Sequence, residues 1–157
     1  METLKAIQEH QKRCNNLRKS LKSGPWDNEP DRVEFTHAGL TCLLLRNSGL
    51  GNWCGYVGLP PGHPAYGKKY DEVPVSVHGG LTFANECHDH ICHVPDKDEP
   101  DHLYWLGFDC AHAGDFIPTS DSLLKRYPIS GETYKGVKYV KKETMRLADQ
   151  LACLTIT

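Results

Sequence analysis

The 157-residue sequence lacks a long hydrophobic run, and its longest aliphatic stretch is the three leucines at 43–45. A helix that crosses a bilayer needs ~20 consecutive apolar residues, so we expect no membrane association. The first 22 residues are polar and charged, without the apolar centre of a secretory signal. These absences predict a cytoplasmic protein, in a reducing compartment.

The sequence also lacks an excess of charge of either sign. Its formal net charge is -2, which gives no general attraction to the phosphates of DNA or RNA. We therefore expect a small-molecule ligand as the partner, since bulk charge gives no support to binding of nucleic acid. Self-association of the chain into a homo-oligomer stays open.

None of the seven cysteines forms a Cys-x-x-Cys pair. Their number is odd and no export signal accompanies them, so we expect no disulfide. Most of these thiols should be small buried apolar side chains.

The familiar nucleotide fingerprints are missing too, since the chain has neither Gly-x-Gly-x-x-Gly nor a Walker lysine. A loop rich in glycine, proline and tyrosine follows residue 55 instead. Tyr56, His63 and Tyr66 offer ring faces and polar tips there, so we interpret them as ligand-binding residues.

The hydrophobic pattern that is present predicts an α+β fold in a single domain, 1–157. Apolar residues recur at helical spacing near both ends of the chain, and β-rich runs lie between them. We predict an antiparallel or mixed sheet flanked by an N-terminal and a C-terminal helix. The predicted helices cover 3–22 and 134–151, and the predicted strands cover 33–37, 40–46, 53–59, 75–84 and 103–109.

The first candidate site is His78 followed by Gly79 and Gly80, within the predicted strand 75–84. Two glycines leave the backbone open, so a ligand could reach main-chain N–H groups there. His78 would then act as an acid, a base or a metal ligand. The alternative is a glycine bulge beside a hydrogen-bonded histidine.

The second candidate site is the segment 109–115, where an apolar strand ends among small residues. Asp109, His112 and Asp115 could bind a divalent metal ion or orient a water molecule. Alternatively, Asp109 orients an imidazole without any metal, or the aspartates cap a turn. Cys110 would be a nucleophile only if His78 or His112 lay beside it as a base.

The tract 86–93 is rich in cysteine and histidine, which is typical of metal binding by composition. Cys87 with Cys92, and His88 with His93, could supply zinc ligands. The spacing matches no familiar zinc module, so an exposed acidic loop over 85–101 is the competing interpretation.

Four segments together resemble a group of small uncharacterised proteins of bacteriophages and bacteria. The resemblance covers roughly the central 60 residues and the C-terminal helix. It implies a bacterial or phage-infected cell and a role in infection or defence, but no particular reaction. The segments are Gly-Tyr-Val-Gly at 55–58, His-Pro-x-Tyr-Gly at 63–67, Val-His-Gly-Gly-Leu-Thr at 77–82 and Gly-Phe-Asp-Cys-Ala-His-Ala-Gly-Asp at 107–115.

Three functions compete on this basis. The first is a small hydrolase that acts on a phosphorylated or nucleotide-like molecule through His78, Asp109, His112 and Asp115. The second is a protein that binds and sequesters a nucleotide signal without turnover. The third is a protein-interaction module that uses the acidic loop or a helix face. The first two require His78 and the segment 109–115 to meet in space, and a hairpin of the strands around the acidic loop would bring them together.

Overall fold

A computed structural model describes residues 2–93, 102–119 and 132–154, and the predicted α+β fold is confirmed. An N-terminal helix and a C-terminal helix accompany a five-stranded antiparallel sheet. Short 3-10 helices occur at Pro25–Asn28 and Tyr70–Glu72. The main elements are α1 (Glu2–Ser20), β1 (Arg32–His37), β2 (Leu40–Arg46), β3 (Trp53–Leu59), β4 (Phe83–Glu86), β5 (Tyr104–Asp109) and α2 (Val137–Ala152).

The strands lie in the order β1-β2-β3-β5-β4. Ala38 and Gly39 join β1 to β2 with φ of 54° and 78°, as a two-residue hairpin turn requires. The predicted strand 75–84 is wrong over most of its length, because only Phe83–Glu86 pairs with β5. Gly79 and Gly80 have φ of 68° and 80°, so the chain turns there instead of extending.

Helix α2 covers one face of the sheet. Its packing against β3 depends on Gly55, where an added Cβ would lie 2.3 Å from the Thr144 hydroxyl oxygen. This close approach buries four apolar side chains of the helix in the main core: Val140, Leu147, Ala148 and Leu151.

The opposite face of the sheet carries a second core cluster that includes Tyr56 and Trp105. The tract 86–93 covers it, because Ile91 packs on this cluster and Cys92 and His93 are buried. Helix α1 contacts the same tract, since the His10 ring stacks on the His90 ring with centroids 4.1 Å apart.

The predicted exposed loop over 85–101 agrees with the exposure of Asn85, Glu86, His88 and Asp89, but it is wrong at Cys92 and His93, which are buried. Arg32 of β1 donates hydrogen bonds to two backbone carbonyls of the tract 86–93 and fixes it against the sheet. Four of the six acidic residues that the protein-interaction hypothesis assigned to this loop lie outside the described residues: Asp96, Asp98, Glu99 and Asp101.

Cys87 and Cys92 form a disulfide, so the expectation of no disulfide is wrong for this pair. Between them His88 and Ile91 exchange two backbone hydrogen bonds, and this tight hairpin brings the two Cα atoms to 4.8 Å. The expectation considered only the redox compartment, whereas local chain geometry places the two thiols side by side. The bond also removes both cysteines as zinc ligands.

A buried ionic network lies at the edge of the main core. The Arg46 side chain is fully buried, and its Nε donates to Asp31 at 2.7 Å while its terminal nitrogens donate to Glu29 and Tyr134. Glu29 also accepts a 2.8 Å hydrogen bond from the backbone N–H of Val137, the first residue of α2. The network therefore fixes where the C-terminal helix begins.

None of the helices in the described ranges combines the length and the apolar character that a membrane crossing requires.

Replacing Asp31 by asparagine should lower the free energy of unfolding by ~3–5 kcal/mol at pH 7, because it leaves buried Arg46 with one carboxylate fewer. Burial alone would raise the pKa of Asp31, but hydrogen bonds from Arg18, Arg46 and Gln11 outweigh it and lower the pKa. This stabilisation is present above the unfolded-state pKa of ~3.9 and is lost as the pH falls below it. The difference between variant and parent should therefore shrink in acid.

Urea denaturation at pH 7 and at acid pH measures both effects. Asp71→Asn is the control, since this carboxylate is exposed, and it should change stability by less than ~0.5 kcal/mol. A cost of Asp31→Asn as small as that of the control would contradict the role given to the network.

The disulfide predicts that denatured, unreduced protein exposes five reactive thiols and that reduction adds two. Alkylation followed by mass spectrometry should find the peptide with Cys87 and Cys92 unmodified before reduction. Full alkylation of this peptide in unreduced protein would show that the bond is absent.

Candidate functional site

The structure brings His78 and the segment 109–115 together, as the sequence predicts. The backbone N–H of Thr82 donates to the Gly107 carbonyl at 2.9 Å, and its hydroxyl donates to Asp109 at 3.0 Å. The chain before β4 therefore runs beside the end of β5. The site lies at the end of the β4–β5 hairpin that is remote from the loop connecting these strands.

The imidazole of His78 is held through both of its nitrogens. Its Nε2 lies 2.8 Å from an Asp115 carboxylate oxygen, and its Nδ1 lies 2.8 Å from the Tyr139 hydroxyl. An ionised carboxylate only accepts, so Nε2 carries the proton and Nδ1 accepts from Tyr139. The backbone N–H of His78 donates to Glu143 at 2.6 Å, which ties this turn to α2.

Asp115 is the buried anchor of this arrangement. Its carboxylate is 1% exposed, lies 3.2 Å from the Lys135 ammonium and accepts the backbone N–H of His112 at 3.0 Å. Burial alone would raise the pKa of Asp115, but the hydrogen bonds from His78, His112 and Lys135 outweigh it and lower the pKa. The carboxylate therefore stays ionised at neutral pH and accepts the hydrogen bond from His78 Nε2.

The second imidazole, His112, lies against the backbone of Gly79. A Cβ added at Gly79 would come within 2.2 Å of the His112 ring, so glycine is required for this approach. His112 Nε2 lies 3.0 Å from an Asp109 oxygen, but it is buried and the angles are not those of a hydrogen bond. The imidazole and the carboxylate are therefore in contact without a hydrogen bond between them. The two imidazole centroids are 6.3 Å apart.

Asp109 borders an open cavity of about 440 Å³ on the sheet face opposite α2. Its two oxygens accept hydrogen bonds from the Ala111 N–H at 3.1 Å and from the Thr82 hydroxyl at 3.0 Å. His112 lines the same cavity, together with Asn52 and Tyr56. One acid–base pair of the site therefore lies beside a space large enough for a small ligand.

The structure places only some of the ligand-binding residues predicted from sequence at the cavity. Tyr56 lines the cavity, but its ring packs over Gly107 and is almost fully buried, so only an edge is available. Gly80 does not offer a free N–H, because this group donates to the Val77 carbonyl at 2.8 Å. The prediction of open glycine N–H groups is wrong at this position.

His63 and Tyr66 lie at the other end of α2. His63 Nε2 donates to the Leu151 carbonyl at 2.8 Å, and the Tyr66 hydroxyl donates to the His102 carbonyl. Leu151 follows Tyr139 by twelve residues of helix, a rise of ~18 Å. The structure therefore does not bring His63 and Tyr66 to the other candidate residues.

Sequence reasoning missed three residues that complete the site. Tyr139 and Glu143 stand four positions apart on α2, so they face the same side and both contact His78. Lys135 precedes the helix and pairs with Asp115. The i, i+4 spacing of Tyr139 and Glu143 predicts that they share one face of the helix. It does not indicate that His78 is their common partner.

Cys110 does not fit the role of a nucleophile. The side chain is buried, and burial raises the pKa of its thiol far above neutrality, so a thiolate does not form. In the part of the chain that the structure describes, no three His, Cys, Asp or Glu side chains converge as metal ligands. His78 pairs with Asp115 and His112 with Asp109, instead of forming one common ligand set.

The contact between His112 and Gly79 predicts different effects for alanine at the two neighbouring glycines. Both positions have positive φ, so each substitution carries a backbone cost of ~1–2 kcal/mol. Gly79→Ala also collides with the His112 ring, whereas a Cβ at Gly80 meets nothing within 4 Å. Gly79→Ala should therefore cost ~1 kcal/mol more in unfolding free energy and shift the His112 ring resonances.

Gly80→Ala is thus the matched control, measured by thermal denaturation and by NMR of the imidazole protons. Equal losses of stability, with unchanged His112 resonances in both variants, would show that the ring does not lie against Gly79.

A comparison of the chain with protein-family models, curated proteins and solved structures finds no match. A function is therefore inferred from the chemistry of these side chains.

Proposed function

We propose that the protein is a small hydrolase that acts on a phosphorylated or nucleotide-like molecule in a bacterial or phage-infected cell. The observation that carries this proposal is a pair of imidazoles, 6.3 Å apart, each placed beside a carboxylate. The setting comes from the resemblance in the sequence, and the reaction class comes from the acid–base groups.

Hydrolysis needs one group that takes a proton from water and another that gives a proton to the leaving group. Imidazole serves both purposes because its ordinary pKa lies close to neutral pH. His112 lines the cavity and is the group that would take the proton from water. Its side chain is 35% exposed while its Nε2 is buried against Asp109, so the proton of water would go to Nδ1.

His78 would act through Tyr139. His78 Nδ1 holds the Tyr139 hydroxyl, which would give its proton to the leaving group and regain a proton from water after the reaction. Asp115 keeps the His78 ring in this orientation through Nε2. Burial raises the pKa of Tyr139, and the nearby Glu143 adds to the effect, so the phenol keeps its proton until the leaving group takes it.

A phosphorylated substrate suits the cation of this region. The Lys135 ammonium lies 5.9 Å from the centre of the Tyr139 ring, near the group that would protonate the leaving group. Such a charge stabilises the additional negative charge that develops when a phosphate ester is cleaved.

The alternative, a protein that binds a nucleotide signal without turnover, is favoured by one specific observation. Both ring nitrogens of His78 already have protein partners, so this side chain offers no free nitrogen to a substrate. In this alternative the Asp115–His78–Tyr139 chain only stabilises the wall of a binding site.

The hydrolase predicts that His112→Gln and Tyr139→Phe each reduce turnover of a responsive compound in a panel of nucleotides and phosphate monoesters. The expected loss is ~10²-fold or more for His112→Gln, because the general base is removed. Tyr139→Phe removes only the hydroxyl and should lower kcat more than it changes KM. Chromatography of the reaction products measures the rates.

His88→Gln is the control, since this histidine is exposed on the disulfide hairpin, and its activity should match the parent. Unfolding free energies within ~1–2 kcal/mol of the parent ensure that the losses are chemical. Compounds that bind but are recovered intact would favour the binding protein, and full activity in both variants would exclude the proposed mechanism.

A further inference from the structure

The cavity beside Asp109 contains a polar atom that the fold leaves without a partner. Asn52 is 2% exposed and lines the cavity, and among the described residues no group donates a hydrogen bond to its Oδ1. Its Nδ2 donates to the Trp53 carbonyl at 3.3 Å. If the amide of Asn52 were flipped, its oxygen would face the Trp53 carbonyl oxygen, so the present orientation is the favourable one.

A buried acceptor without a donor is uncommon in a native protein, and it calls for a ligand or water that supplies the donor. Asp109 adds further acceptors at the same cavity. Each of its oxygens receives one hydrogen bond from the protein, so its carboxylate keeps lone pairs for another donor. Asn52 and Asp109 therefore give the cavity hydrogen-bond acceptors for a ligand that carries donors.

The remaining walls suit a flat ring. Leu50 and Phe83 border the cavity, and the edge of the Tyr56 ring forms part of its wall. Its volume of about 440 Å³ lies in the range of small-molecule sites. A planar group that enters between these apolar side chains would present its edge to Asn52 and Asp109.

We propose that this cavity binds a planar group with adjacent N–H donors on one edge, and that the group is the guanine base of the substrate. Guanine presents its N1–H and its 2-amino group side by side. Adenine and cytosine place a ring acceptor beside their amino group, which a carboxylate repels. That the bound guanine belongs to a substrate rests on the hydrolase function proposed above.

His112 links the cavity to the groups proposed to carry out hydrolysis. It lines the cavity and also belongs to the acid–base pair, so a base held by Asn52 and Asp109 lies next to the reacting groups. The cavity then sets which nucleotide is used, and the imidazoles carry out the hydrolysis.

Calorimetric titration with guanosine, inosine and adenosine tests the proposal on the unmodified protein. Inosine lacks only the 2-amino group, so it should bind at least ~10-fold more weakly than guanosine, and adenosine more weakly still. Asp109→Asn and Asn52→Leu should each weaken guanosine binding by ~10-fold or more. Asn16→Leu, on the exposed side of α1, should leave it unchanged.

Equal affinity for the three nucleosides, or no binding of any, overturns the proposal without reference to a variant. Methylguanidinium carries a similar donor edge, so a protein that binds it but not guanosine would overturn the assignment to a base. Guanosine binding with no turnover of guanine nucleotides refutes the hydrolase and supports the cavity. Turnover without preference for a base refutes the cavity and supports the hydrolase.

Discussion

The buried guanidinium of Arg46 is the constraint on which the rest of the structure depends. It lies over the Trp53 ring at 4.7 Å and donates to Asp31, Glu29 and Tyr134. A charge in this position is tolerable only if every donor is satisfied, because an uncompensated buried ion costs several kcal/mol. Segments far apart in sequence must therefore assemble together around one side chain.

The same network reaches the candidate site through α2. Glu29 binds the N–H of Val137 and so fixes the first turn of the helix. Two and six residues later, Tyr139 and Glu143 hold the ring and the backbone of His78. The orientation of the imidazole is thus set by a helix whose start is set by a buried ion pair, and the site inherits the rigidity of the core.

Local pattern was sufficient for both helices, for four of the five strands and for the meeting of the two candidate segments, but it placed the strand before the disulfide hairpin too early. The strands Leu40–Arg46 and Trp53–Leu59 agree with their predicted bounds, since apolar runs between turn residues mark them. The roles of Arg46, Asn52 and Tyr139 were not accessible in this way. Each depends on a partner that only the tertiary structure brings near, and the disulfide depends on a hairpin that a composition argument ignores.

The two carboxylate–imidazole pairs differ in their surroundings, and this difference supports opposite roles for them. Asp115 is buried and triply hydrogen-bonded, so it stays ionised and holds the His78 ring through Nε2. Asp109 is 29% exposed beside an open cavity, where water weakens its hold on His112. The approach of His112 to the turn after His78 requires glycine at position 79, because a Cβ there would collide with the His112 ring.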